Sequence, residues 1–270
     1  MNEKAKELLG KAKYDFADLC RVMEILRGEG GCPWDREQTH ESIRKNFIEE
    51  TYEVVEAIDT KDAHLLCEEL GDVLLQVVFH TQIEREAGRF TIDDVTDGIV
   101  KKLIYRHPHI FADTTAETAE TVLDNWDKLK AKEKHRDTVT ASMRSVPRPL
   151  PALMRAEKVG KRAAKVGFDF ATAADAAVKI AEETNEVLSA TEATRAEEVG
   201  ALLFAAVNVA RKCGVDPERA LSDATDKFID RFAAVEDAVR ADGKRMEDLP
   251  LSVLDTYWDR VKANRNGENT

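Results

Sequence analysis

Long apolar runs, paired cysteines and aromatic residues are all scarce in this 270-residue chain, and each shortage removes a class of protein. The longest apolar stretch, Val73 to Phe79, is broken by Gln76 and falls far short of the roughly 20 residues that span a bilayer. The start, Met1 to Lys13, is charged and lacks the apolar core of a leader peptide. The expectation is a cytoplasmic protein with no membrane segment. Cys20, Cys32, Cys67 and Cys213 fall at wide, irregular spacings without a C-x-x-C pair, which indicates neither a zinc site nor a disulfide framework. An aromatic share of 6% is low for a β-sandwich, and no G-x-x-x-x-G-K-[ST] phosphate loop is present. Basic residues number 40 against 52 acidic, a formal charge of −12, which opposes binding to a nucleic-acid polymer. Free nucleotides remain compatible where cations bridge the repulsion.

What is present is helical patterning. A hydrophobic share of 43% beside 34% charged residues suits a helix-rich globular protein, and the length suits two domains. Phe16, Leu19, Met23 and Leu26 recur at helical steps and predict a first helix ending near Gly28, followed by a turn at Cys32-Pro33-Trp34-Asp35. Ile43, Phe47, Val54, Val55 and Ile58 predict a second helix; Leu66 through Val78 predict a third that runs to about Gly88, with a loop at Asp59 to Asp62 between them. Thr91 and Asp94 form a capping pair for a fourth, which His107-Pro108 should terminate. A shorter helix around Val122, Trp126 and Leu129 closes this half. The polar, then proline-bearing stretch from Lys132 to Pro151 reads as a connection. The helical pattern resumes beyond it, with Asp216 and Pro217 set to cap and open a helix carrying Leu221, Phe228, Phe232 and Val235. The expected architecture is all-α.

An ordered set of polar residues occurs twice. The first copy is Glu49-Glu50-x-x-Glu53, Glu69-x-x-Asp72, Lys102-x-x-x-Arg106 and Trp126-x-x-x-Lys130; the second is Glu182-Glu183-x-x-Glu186, Glu198-x-x-Ala201, Lys227-x-x-x-Arg231 and Trp258-x-x-x-Lys262. Residues three or four apart share a helix face, so Glu50 with Glu53, and Glu69 with Asp72, each project a carboxylate pair in one direction. Two such helices facing each other make a nest of four carboxylates. At about 5 Å and an effective dielectric near 20, each pair repels by roughly 3 kcal/mol, so the nest calls for protons or cations. Oxygen-only ligation points to magnesium, or manganese. Lys and Arg four apart supply charge for phosphate oxygens, and a tryptophan can stack on a base.

Taken singly, each element has a plainer explanation. One E-E-x-x-E in a Glu-rich chain is ordinarily a solvated helix face, and a lone tryptophan ordinarily serves burial. The co-occurrence in order, twice, outweighs those explanations. His107 and His109 read as a helix stop and surface residues rather than ligands, and the absence of an E-x-x-H pair argues against a di-iron bundle.

Gly31 to Thr39 (GCPWDREQT), the Glu49 to Glu53 motif, Glu68-Glu69-Leu70-Gly71-Asp72 and Arg106-His107-Pro108-His109 resemble the first domain of MazG proteins. Lys158 through Phe168, Glu182 to Glu186, Val199-Gly200, Val215-Asp216-Pro217, Lys227 to Phe232 and Tyr257-Trp258 resemble the second. The resemblance covers roughly residues 16 to 265. It implies two tandem MazG-type helical domains, 1–135 and 156–270 about a linker at 136–155, and a homodimer built through helical bundles. It also implies magnesium-dependent hydrolysis of NTPs or dNTPs to monophosphate and pyrophosphate, in nucleotide-pool house-cleaning. In the family pattern the second domain carries most of the activity. Its metal ligands here would be Glu183, Glu186 and Glu198, and its nucleotide contacts Lys179, Lys227, Arg231, Trp258 and Lys262. Ala201 stands where the family has Asp. The first domain keeps Glu50, Glu53, Glu69 and Asp72, with Lys102, Arg106, Trp126 and Lys130 as its cationic and aromatic counterparts. Glu182 or Glu49, beside the ligands, would serve as general base. The missing fourth ligand leaves two alternatives from other classes, a nucleotide-binding regulator with weakened catalysis and a structural dimer module.

Overall fold

The computed structural model describes residues 3–112, 118, 122, 126, 129 and 138–267, with side chains from residue 5 and up to residue 263. Every regular element among the described residues is helical. The chain divides into two compact units, the division falling between Leu129 and Lys130.

In the first unit, α1 (Glu3–Leu9) leads to α2 (Phe16–Arg27), which starts on a reciprocal cap between Asp15 and Asp18 and ends at Gly28. The Cys32-Pro33-Trp34-Asp35 segment, expected as a turn, opens a short helix, α3 (Pro33–Glu37), with proline at its first position. Proline's fixed φ and missing N–H suit that position. The long pair α4 (His40–Thr60) and α5 (Ala63–Glu86) forms the body of the unit. Thr39 caps α4 in a box with Ser42, Lys61 closes it in the left-handed conformation at φ 58°, and Asp62 then caps α5 through the His64 and Leu65 amides. Two residues therefore suffice to reverse the chain and set α5 against α4. Met23, Ile43, Val78 and Phe79 make the core where α2, α4 and α5 meet. The Thr91 and Asp94 pair does cap α6 (Ile92–Arg106), and His107-Pro108 ends it, although Pro108 at once opens one further turn, α7 (Pro108–Phe111). Of the expected helix around Val122, Trp126 and Leu129, only those three residues and Thr118 are described.

In the second unit, α8 (Val139–Arg144) lies inside the stretch expected as a connection. It packs on α9 (Ala152–Ala164), Val146 beyond it is fully buried, and Arg162 donates to the Ser142 carbonyl and to Ser145 Oγ. The body of this unit is again a facing pair, α10 (Ala173–Ser189) and α11 (Arg195–Lys212), with Thr172 and Asp175 capping the former. Asp216 caps α12 (Pro217–Ala241) with Pro217 at its first position, as the sequence predicts. A 3₁₀ turn at Met246–Asp248 leads to α13 (Leu251–Gly267), which packs on α12 through Val235, Val239 and Tyr257.

Candidate metal and nucleotide site

The facing pair α4/α5 aligns its acidic residues. Glu50, Glu69 and Asp72 each offer a carboxylate oxygen within 4.8 Å of the others. Glu53, one turn along α4, adds its charge beside both Glu50 and Glu69. Burial pushes the Glu50 carboxyl above its ordinary value, with the charges of Asp72 and Glu53 adding to it; burial and Glu53 do the same to Glu69. Crowded anions that raise one another's proton affinity are what a cation would neutralise. Glu49 lies on the outer side, paired with Lys45 at 2.8 Å.

The pair α10/α11 repeats the arrangement with a difference. Glu183, Glu186 and Glu198 bring carboxylate oxygens within 4.8 Å of one another. Repulsion from Glu183, then burial, lifts the Glu186 carboxyl above its usual range. Glu183 is buried, and its Oε2 atom has no hydrogen-bond partner. An unpartnered buried carboxylate oxygen is costly, and a cluster of three carboxylates, Glu183 among them, fits a divalent cation. Ala201 occupies the turn after Glu198 and offers no ligand atom. Lys179 reaches into the cluster, its Nζ 2.9 Å from Glu183 Oε1 and 2.7 Å from Glu182 Oε1. Both carboxylates hold its ammonium well above the ordinary lysine range, the Glu182 bond first.

The remaining candidates divide by environment. Arg231 lies with its guanidinium carbon 5.9 Å from the Trp258 ring centroid, and Phe228 packs on the same ring at 5.2 Å. The Arg231 Nε atom is buried without a hydrogen-bond partner. Lys227 and Lys262 are exposed. In the first unit Arg106 is buried, with its guanidinium over Trp126 at 5.2 Å, while Lys102 is half-buried. Lys130 lies outside the described residues.

Sequence reading missed a polar network at the other end of α4 and α5. His40 Nδ1 meets His80 Nδ1 at 2.7 Å, His40 Nε2 meets Glu84 Oε1 at 2.5 Å, and Arg89 forks onto the same carboxylate. The buried Glu84 carboxyl is held down at about 2, by Arg89 first and by His40. His107 and His109, read as a helix stop, do cap α6 and line α7, their rings 5.7 Å apart.

Facing helix pairs that gather oxygen donors, with cations and an aromatic ring on a further helix pair of the second unit, define an all-helical protein with carboxylate clusters of the kind that hold a divalent cation. A family model described as the MazG nucleotide pyrophosphohydrolase domain matches residues 38–111. The chain is 44% identical over 249 residues to the nucleoside triphosphate pyrophosphohydrolase/pyrophosphatase MazG of Thermotoga maritima, covering 92% of this chain and 96% of that protein. It is 44% identical over 251 residues to the nucleoside triphosphate pyrophosphohydrolase of Escherichia coli, covering 90% and 95%. A Mycolicibacterium smegmatis protein of the same name is 37% identical over 237 residues, which are 87% of this chain and 63% of that protein. The chain belongs to the MazG family.

Proposed function

We propose that this protein hydrolyses nucleoside and deoxynucleoside triphosphates to the monophosphate and pyrophosphate, with magnesium as cofactor, and that it serves to clear unwanted nucleotides from the cytoplasmic pool. The observation that carries the reading is the Glu183, Glu186 and Glu198 cluster with its partnerless buried oxygen, in a chain that matches 96% and 95% of the length of two pyrophosphohydrolases.

Magnesium, or manganese, would be held by Glu183, Glu186 and Glu198 in the second unit and by Glu50, Glu53, Glu69 and Asp72 in the first. When bound it supplies charge neutralisation at the phosphates and makes a nearby water more acidic. Arg231 and Lys227, four residues apart on one face of α12, would bind phosphate oxygens, the arginine with two parallel donors. Lys179 and Lys262 add charge that offsets the developing pyrophosphate. Trp258, already packed on Phe228, presents a rigid ring for the base. Glu182 and Glu49 lie beside the ligands, each salt-bridged to a lysine, and one of them takes the proton of the attacking water. Lys102, Arg106 and Trp126 would play the cationic and stacking roles in the first unit. Membership of the family favours this reading over a regulator without catalysis.

Exposed Val95, Ile99, Leu103 and Ile104 on α6, and Leu221, Phe228, Ile229 and Phe232 on α12, leave apolar faces of the kind a homodimer covers. Chromatography of products formed from a panel of NTPs and dNTPs tests the activity. Monophosphate and pyrophosphate, absent in EDTA, are expected; diphosphate and phosphate would refute the reading.

A further inference from the structure

The two carboxylate clusters differ in one feature that neither composition nor the repeated motif discloses. Four residues before Glu183 stands Lys179; four residues before Glu50 stands Asn46. The Lys179 ammonium bridges Glu182 and the buried Glu183. In the first unit the lysine salt bridge beside the cluster, Lys45 to Glu49, falls on the outer acid, and the charges around Glu50 and Glu69 are those of the acids Glu53 and Asp72. The second cluster also has Ala201 in the place that Asp72 fills in the first.

We infer that Lys179 is a built-in competing cation, so that the second cluster takes up its metal together with a triphosphate while the first takes up the free ion. This rests on the metal-dependent reading above. Two cations compete for the same carboxylate when one is already seated at hydrogen-bonding distance, and a divalent ion entering a three-carboxylate cluster must displace that bond. Metal-bound triphosphate changes the balance, because its own oxygens replace the ligand that Ala201 does not provide and give the ammonium a new anionic partner. Lys179 then moves from Glu183 to phosphate, and the Glu183 oxygens become available together. The side chain is 37% exposed, so the movement breaks no packed core. Lys179 is thereby a positioning residue that couples metal entry to substrate, and a second site so gated binds the free ion only weakly until a nucleotide arrives.

The test counts bound Mn2+ by electron paramagnetic resonance on the full-length protein, with and without a triphosphate whose α,β-bridging oxygen is replaced by methylene. Without nucleotide, the parent protein should show tight Mn2+ sites that Glu50→Gln weakens and Glu183→Gln leaves unchanged. Adding the analogue should create a further site that Glu183→Gln removes. Lys179→Met, and Lys179→Gln as a polar control for folding, should reveal that site without nucleotide, with free-ion affinity at least about tenfold higher than in the parent. Equal nucleotide-free affinity of the second cluster in parent and Lys179 variants would overturn the inference and leave metal-dependent hydrolysis standing. No Mn2+ bound in any arm would overturn the metal reading itself, and the inference with it.

Discussion

Ala201→Asp restores the fourth carboxylate of the second cluster, and its consequences have opposite signs with and without metal. Position 201 is half-buried on α11, one turn beyond Glu198, facing a cluster whose oxygens already lie within 4.8 Å of one another. A new carboxylate about 5 Å from a neighbour is repelled by roughly 3 kcal/mol at an effective dielectric of 20. The exposure of Glu186 and the countercharge of Lys179 reduce that to about 1 kcal/mol. In EDTA the variant should therefore melt roughly 3–5 °C below the parent. An added ligand that tightens magnesium binding about tenfold, from about 10 mM to about 1 mM, changes the stabilisation at about 10 mM ion from roughly 0.4 to roughly 1.4 kcal/mol. The deficit should close in magnesium, and pyrophosphohydrolysis by the second site should rise. Scanning calorimetry in EDTA and in magnesium, with a turnover assay on the same samples, measures both. A variant equal to the parent in EDTA, and gaining no more from magnesium, would refute the argument that position 201 belongs to the cluster.

Other expectations follow from single contacts. The buried Tyr257 hydroxyl donates to Asp242 at 2.6 Å and accepts from Lys244 at 3.1 Å; Tyr257→Phe should cost roughly 1.5 kcal/mol and, by loosening α13, raise KM more than it lowers kcat. Urea titration and steady-state kinetics check it. Glu84 is depressed to about 2 in the folded chain, so its contribution is present above the unfolded carboxylate value and lost as pH falls through that window. The stability difference between parent and Glu84→Gln should accordingly shrink between about pH 4.5 and pH 2; a difference independent of pH would contradict it. Glu50 and Glu69 shift the other way, so in EDTA their contribution weakens as pH rises through their elevated values, and saturating magnesium should abolish that weakening in a thermal-melt series. At Gly31 an added Cβ would fall 2.3 Å from the Leu26 carbonyl oxygen; Gly31→Ala should destabilise the first unit by about 1–3 kcal/mol, read by calorimetry.

Much of this architecture is written in local sequence, because capping chemistry and helical period act over a few residues. Thr91 with Asp94, and Asp216 with Pro217, mark helix starts that the structure places at those positions. The carboxylate spacing likewise anticipates which residues gather, since three- and four-residue steps fix a helix face. What a period cannot convey is which face meets which, or what sits between them. The bond between His40 and His80 spans forty residues and depends on the register of α4 against α5. Arg106 reads in sequence as a cation for phosphate oxygens, yet it is buried with its guanidinium over Trp126. Helices α3, α7 and α8 are too short to show a hydrophobic period, so proline and polarity suggested turns and a linker in their place. Lys179 was visible as a cation near the motif, but its seat on Glu183 exists only once α10 is folded.

The central claim is attack by water at the α-phosphorus, and hydrolysis in 18O-labelled water tests it most directly. Mass spectrometry of the products should find the label in the nucleoside monophosphate, with unlabelled pyrophosphate. Label in the pyrophosphate, or in inorganic phosphate released beside a diphosphate, would contradict it.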